Sequence, residues 1–483
     1  MSINRECIVL ERFHSADDSA RLDAWHATGA PLLDLRSPDT FAKQRLVGPV
    51  SNVPYFRLAV EGFMLPPREM PFALLVAGPV ANPPLVPTFG NTAEEEEGAP
   101  PPSFQSIAAM TSEHGSGPPS VKAILHCFLS PRSPWIISDL FVDSPSLWDA
   151  AQDRGLVADR SEDIKPFHLW MPTPILRGMI DKIEEIVTVA NDDQHRGANM
   201  PFAPSGGSSS TRDGPQDLTS RDVQHRGSSD EKRKICLDLG CGAGRDSVFL
   251  ALRGWDVLAV DNMPKALARV RRLAARCGAN ASTELHCGND GSFVFRDTCG
   301  EDTSDRGFEP ESKPSTRAVG RVVTAMVDVR KNPEALIQCV STFCGSSPLY
   351  KSDGVDLLVV ARFLHRPLFE HMNPCASSSK VEVAMDKRAQ KLPRCDTYDS
   401  KSDATGTSSG LVAPGGVVVY HHFLHGVQEH PIGHPSSPAD ILQKGELGAV
   451  FDGWMQLLND EETPLPDGRP MTSFVAQRPI KHD

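Results

Sequence analysis

No stretch of this chain is apolar for the ~20 residues that a membrane-spanning helix requires, so a helical membrane protein is not expected. The first ten residues also lack the continuous apolar core of a signal peptide. Cysteine pairing is missing as well. The eleven cysteines, an odd number scattered from Cys7 to Cys395, form no CxxC pair, which argues against a disulfide framework or a zinc site and for a reducing compartment. The expected location is cytoplasmic, with the nucleus left open. A long basic run is absent too, and the net charge is −13. A nucleic-acid partner is therefore not expected; Lys232, Arg233 and Lys234 simply lead into a strand.

What is present points to several folded domains. A chain of 483 residues exceeds a single core, and two to three domains are expected. Hydrophobic residues at 40% and charged residues at 23% are ordinary for a globular protein, whereas 41 prolines and 37 glycines signal long irregular stretches. Polar, Pro, Gly and Ser bias marks 82–120, with its glutamate run at 94–97, then 191–230, 288–318 and 373–410. The second is read as a disordered linker and the others as insertions. Elsewhere, apolar runs at 31–35, 72–76, 235–239, 256–260, 322–327, 355–361 and 416–420 read as strands. Helix starts are expected near Asp246, Pro264, Asn332 and Ser437, giving α/β sheets covered by helices.

The densest signal begins at the strand 235–239. It runs into Gly240-Cys241-Gly242-Ala243-Gly244 and then an apolar helix with Val248, Phe249 and Leu252. Glycines there allow positive φ and close ligand approach, and the helix start presents free N–H groups. A second strand ends at Asp261, where a carboxylate can accept hydrogen bonds from both ribose hydroxyls of a nucleoside. A dinucleotide site would require glycine at position 245, which is Arg245. The sequence Asp238 to Asp246, DLGCGAGRD, instead resembles motif I of the class I S-adenosylmethionine-dependent methyltransferases. That resemblance implies a Rossmann-like methyltransferase sheet over 231–483. It also implies S-adenosylmethionine as cofactor, held by Asp238, Gly240, Cys241, Gly242, Gly244, Asp261 and Asn262. Asp328 resembles the family's contact to the adenine amino group; a helix N-cap is the alternative reading.

Further stretches narrow the resemblance. These are the buried strand and cationic loop from Leu357 to Phe369, the turn Pro414-Gly415-Gly416 before Tyr420-His421-His422-Phe423, the triplet Gly445-Glu446-Leu447, and Asp467-Gly468-Arg469-Pro470. Together they resemble the tellurite-resistance-type methyltransferases over 232–480, implying a small acceptor that is anionic or a thiol or chalcogen. Methyl transfer needs alignment and a dehydrated cleft more than acid-base help. Arg362, His365, Arg366, His421, His422 and Arg469 are the candidate catalytic groups. Each has a structural reading: Arg366 could bond carbonyls at a turn, and a regular strand turns only one of His421 and His422 toward the cleft. A protein or RNA acceptor, or a non-catalytic scaffold, remains the alternative function.

In the N-terminal region, Pro31-Leu32-Leu33-Asp34-Leu35-Arg36-Ser37-Pro38 ends a strand in a polar turn. With Gly48 to Pro54 and the strand 72–76 it resembles a smaller rhodanese-like α/β domain over 1–160. A helix within 161–190 is expected to bridge to the second domain. Sulfur transfer needs a thiolate at the strand end, yet Ala77-Gly78-Pro79 follows there. Cys127 is the one substitute, after a possible strand at 123–126. Pro131 and Pro134 remove donors from its loop, so a buried structural cysteine and a non-catalytic domain that docks a protein partner are expected.

Overall fold

The apolar runs become the strands of two sheets that are parallel over most of their extent, and the chain separates into two compact units, Met1–Pro172 with Pro466–Gly468, and Thr173–Leu465 with Arg469–Asp483. The computed structural model describes residues 17–67, 70–77, 121–129, 135–158, 167–198, 233–288, 292–298, 319–347, 354–373, 410–430, 435–465 and 468–480. The insertion at 82–120 lies outside the described residues, as do the interiors of the linker and of the insertion at 373–410.

The first unit opens with α1 (Asp18–Thr28). The Asp17 carboxylate accepts the Ser19 N–H, and Gly29 ends the helix at φ 61°. Then come β1 (Leu32–Asp34), α2 (Pro38–Lys43), β2 (Val50–Asn52), β3 (Phe72–Val76), α3 (Val121–Phe128), β4 (Ile137–Val142) and α4 (Pro145–Asp153). The strands are all parallel in the order β2-β1-β3-β4. Leu22, Trp25, Leu75, Phe141 and Leu147 form a core against them. At the end of β1 the buried Arg36 is held by the Asp34 carboxylate at 2.7 Å and stacks on Trp148. The strand expected at 123–126 is instead part of the helix α3. Cys127 is buried there, and burial pushes its thiol up to about 11, so Cys127 does not supply a strand-end thiolate.

The second unit begins with α5 (Pro174–Ala198), the helix expected to bridge the domains, which packs within this unit against the strand at 412–423. There follow β5 (Ile235–Leu239), α6 (Arg245–Leu252), β6 (Asp256–Asp261), α7 (Pro264–Arg276), β7 (Asn280–Cys287), β8 (Phe293–Asp297) and β9 (Arg321–Met326). The chain then forms α8 (Pro333–Gly345), β10 (Val355–Ala361), β11 (Val412–Phe423), α9 (Glu446–Val450), β12 (Met455–Glu462) and β13 (Met471–Gln477). The order is β12-β13-β11-β10-β5-β6-β9-β7-β8. From β7 to β11 neighbours are parallel, while β13 runs antiparallel to both β11 and β12 and β8 runs antiparallel to β7. The order reverses at β5: the chain goes out through β6 to the edge pair β7 and β8, inserts β9 between β6 and β7, then crosses to place β10 on the other side of β5. Such a reversal leaves a crevice at the carboxyl ends of the central strands. Ser437 begins only a 3-10 turn, Pro438–Asp440, and not the expected helix. β8 falls inside the stretch read as the insertion 288–318.

Candidate functional site

The crevice is shaped by the loop after β5, a strand with every residue buried. Gly240 takes φ 72°, and its N–H and that of Cys241 donate to the Val260 carbonyl at 2.9 and 3.1 Å, tying the loop to the end of β6. A Cβ on Gly240 would stand 2.8 Å from the Phe363 Cβ, so a side chain there would collide with the loop after β10. Asp261 completes the turn: one oxygen accepts the Gly242 N–H at 3.0 Å and the other the Met263 N–H at 2.9 Å. Each carboxylate oxygen keeps acceptor capacity for a ligand hydroxyl.

Over this turn lies a cavity of about 220 Å³, bordered by Gly240, Asp261, Asn262, Met263, Asp328 and Phe363 among others. Asp328 pairs with Lys331 at 3.0 Å, which holds its carboxyl below the ordinary value. The cap of α8 is Asn332, whose side chain accepts the Ala335 N–H, so the helix-cap reading of Asp328 passes to Asn332. Four expected cofactor residues, Asp238, Cys241, Gly242 and Gly244, do not border it. Gly244 starts α6 at φ 77°, and a Cβ would meet Val270 Cγ2 at 2.6 Å; it lets α6 and α7 approach and does not border the cavity. Asp238 is 2% exposed beneath the loop, accepting the Ser247 hydroxyl. Burial, together with Asp246 beside it, raises its pKa. Asp246 is raised by burial as well and accepts the Thr173 N–H at 2.6 Å and the Thr173 hydroxyl. These carboxyls fasten α6 and the start of α5 below the loop. Cys241 and Gly242 belong to the loop wall without bordering the cavity, and burial raises the Cys241 thiol.

A second cavity of about 340 Å³ shares Arg330 and Arg362 with the first and adds His422, Phe423, Asp440 and Arg469. Arg362 adopts φ 58°, and its N–H donates to the His421 carbonyl at 2.8 Å, closing the end of β10 onto β11. His421 and His422 point to opposite sides as strand alternation requires, and only His422 borders the cavity. His421 Nδ1 lies 3.1 Å from the Thr472 carbonyl and from Ser473 Oγ. His422 Nε2 donates to the Asp440 carbonyl at 2.8 Å, leaving its buried Nδ1 without a hydrogen-bond partner. Burial pulls both imidazoles down to about 4, so both are neutral near pH 7. Arg469 stacks 5.1 Å from the Phe423 ring centre. His365 is half-buried and borders neither cavity; burial and Arg330 lower its pKa.

Arg366 borders neither cavity and follows its alternative reading, as a group that bonds carbonyls at a turn. Its Nε and Nη2 donate to both Glu446 oxygens at 2.6 and 3.0 Å, Nη1 to the Ala439 carbonyl at 2.8 Å and Nη2 to the Ile441 carbonyl at 2.7 Å. The guanidinium is consumed in holding the Pro438–Asp440 turn against α9. Arg366→Gln leaves the Glu446 carboxylate short of its partner and is expected to cost about 2–3 kcal/mol in denaturant unfolding, given the partial burial of the pair. A loss below about 0.5 kcal/mol, typical of a surface substitution, would contradict this role. Of the residues not assigned to the site from sequence, Asp246 and Phe363 lie within the quoted stretches, whereas Arg330, Thr173 and Asp440 carry no motif signal. Only the fold brings them to the loop.

The family model described as "Tellurite resistance protein TehB" matches residues 230–291, which include the glycine loop and Asp261. Among curated proteins, Hemagglutinin 1 of Eikenella corrodens is 58% identical over 40 residues, covering 8% of this chain and 13% of its own length. Similar solved structures include TehB from Haemophilus influenzae, with 15% identity, a TM-score of 0.27, and coverage of 51% of this chain and 58% of that one. A methyltransferase from Methanosarcina mazei shows 14% identity and a TM-score of 0.27 over 52% of this chain and 94% of its own. The N-methyltransferase NodS of Bradyrhizobium japonicum WM9, solved with S-adenosyl-L-homocysteine, shows 12% identity and a TM-score of 0.24, covering 51% and 78%. At these scores the structural likenesses fix neither fold nor activity. The residues of the crevice must carry the functional reading.

Proposed function

We propose that the second unit, whose residues 230–291 match the TehB family model, is an enzyme that transfers the methyl group of S-adenosylmethionine to a small acceptor. The observation that carries this reading is the Asp261 carboxylate: it ends β6, borders the first cavity, and is tied by a hydrogen bond to the glycine loop that ends β5. The residues fit the cofactor. Gly240 has room for backbone but not for a Cβ, the Asp261 oxygens suit paired ribose hydroxyls, and Met263, Val327 and Val329 offer apolar contact to a purine. Asn262 and Asp328 border the same cavity and supply amide and carboxylate groups for the nucleoside edge.

Bound there, S-adenosylmethionine supplies an electrophilic methyl on a sulfonium. The chain's contribution is alignment and charge. Arg330 and Arg362 border both cavities, and Arg469 joins them at the second, so an anionic acceptor is drawn beside the cofactor cavity. The neutral His422 keeps its Nε2 proton on the Asp440 carbonyl and adds no charge to the cavity it borders. A second cavity of about 340 Å³ suits a small molecule better than a macromolecular surface. The first unit, with its parallel sheet and Ala77 where a thiolate would be needed, is read as a rhodanese-like module that docks a protein partner and performs no sulfur transfer. Incubation of the full chain with methyl-labelled cofactor and a cell extract tests the acceptor class. Label should appear in the small-molecule fraction; label confined to protein or RNA would contradict it.

A further inference from the structure

The second cavity already contains an anion of the protein's own. Asp440 borders it, and its carboxylate lies 2.8 Å from Arg330 Nη2. Both side chains are partly exposed, at 34% and 53%, so the pair is weak and its carboxylate can leave. The main chain beneath is held independently of that side chain. The His422 imidazole binds the Asp440 carbonyl, and Arg366 binds the carbonyls on either side, those of Ala439 and Ile441. The turn is therefore fixed while its carboxylate is free to rotate.

We infer that the Asp440 carboxylate is an internal placeholder, occupying the Arg330 guanidinium until an anionic acceptor displaces it. The charges bordering the cavity among the described residues are three guanidiniums, of Arg330, Arg362 and Arg469, against this one carboxylate, with His422 neutral. Once the carboxylate has turned out, the cluster receives an external anion with an excess of positive charge. The exchange also sets selectivity. A neutral molecule has nothing to offer Arg330 and does not displace Asp440, and a weakly charged one displaces it less well than a compact dianion. Because Arg330 also borders the first cavity, its release from Asp440 frees it to face the reacting groups. The identity of the anion as methyl acceptor rests on the function proposed above, whereas the displacement itself does not.

Inorganic sulfate serves as the probe, measured by calorimetry on the full chain with and without S-adenosylmethionine. Asp440→Asn removes the competitor but keeps the backbone bonds, so sulfate should bind about 1.5- to fivefold more tightly than to wild type, the range expected for releasing an exposed ion pair. Arg330→Gln should weaken sulfate binding and erase the gain from Asp440→Asn when the two are combined. Should Asp440→Asn fail to fold, Asp440→Ser and the wild-type to Arg330→Gln comparison carry the same test. Unchanged or weaker sulfate binding by a folded Asp440 variant, or a gain that persists without Arg330, would overturn the inference. If the cofactor binds normally while this occurs, the placeholder alone falls; if the cofactor fails to bind, the methyltransferase reading falls instead.

Discussion

Asp261→Ala is expected to weaken S-adenosylmethionine binding by roughly 10²- to 10⁴-fold. Two ribose hydroxyls donating to a carboxylate are worth about 1.5–3 kcal/mol each, and each 1.4 kcal/mol is a factor of ten in affinity. The substitution also withdraws the acceptor of the Gly242 and Met263 N–H groups, so the two turns that frame the cavity lose their common tether. Asp261→Asn keeps one carbonyl acceptor and should fall between alanine and wild type. A titration in which Asp261→Ala binds within about threefold of wild type, a difference below 1 kcal/mol, would remove the carboxylate from the site.

Gly320→Ala is expected to have the largest effect on stability. Gly320 enters β9, and its N–H donates to the Ala251 carbonyl at 2.9 Å. A Cβ placed there would lie 1.9 Å from the Trp255 carbonyl oxygen and 2.5 Å from its carbon, contacts with main chain that no rotamer change can relieve. Either β9 or the turn after α6 must move, and both are anchored in the central sheet by the pairing of β6 with β9. The expected loss is about 3 kcal/mol or more, at the upper end of overpacking substitutions. Chemical denaturation monitored at Trp255, which is wholly buried, measures it directly. A variant as stable as wild type would show that the close approach is relaxed in solution.

The parts of the site legible in the sequence are those built from neighbouring residues. The strand, glycine loop, helix and acidic strand end lie within one short stretch, and each announces itself by composition: Ile235 to Leu239 by burial, Gly240 to Gly244 by backbone freedom, Asp261 by its place at a strand terminus. Alternation along β11 likewise foretold that His421 and His422 would face apart. The roles inside the loop were less legible. Gly244 serves a contact with Val270, and nothing in a glycine pattern separates a residue that admits a ligand from one that admits a neighbouring helix.

Partners remote in sequence were invisible. Arg366 meets Glu446 across 80 positions, and a charged residue in a loop gives no sign of a carboxylate that will claim it. Asp440 reaches Arg330 only because the segments after β11 and after β9 meet at the carboxyl ends of one sheet. Among strands, β8 and much of β12 expose most of their residues, and the apolar run of β8 is only Phe293 to Phe295, too short beside those of β5 or β10 to mark a strand. The segment 123–126 had the opposite fault: Ile124 and Leu125 make a short apolar run that a helix packs as readily as a strand, and α3 adds Phe128 one turn on.

Binding of S-adenosylmethionine to the full chain, compared by calorimetry between wild type and Gly242→Arg, tests the central claim most directly. Gly242 takes φ 55° with its N–H on Asp261, and a Cβ would meet only the Gly240 carbonyl at 3.9 Å, so the space beyond it is open. An arginine there must hold φ 55°, which L side chains rarely adopt, in the loop between Gly240 and Asp261, both of which border the cavity, so it distorts the turn that frames the cofactor site. Wild type should bind at one site per chain, and Gly242→Arg should show no binding while remaining folded. A folded wild type that does not bind the cofactor, or a Gly242→Arg variant that binds it equally well, would contradict the account.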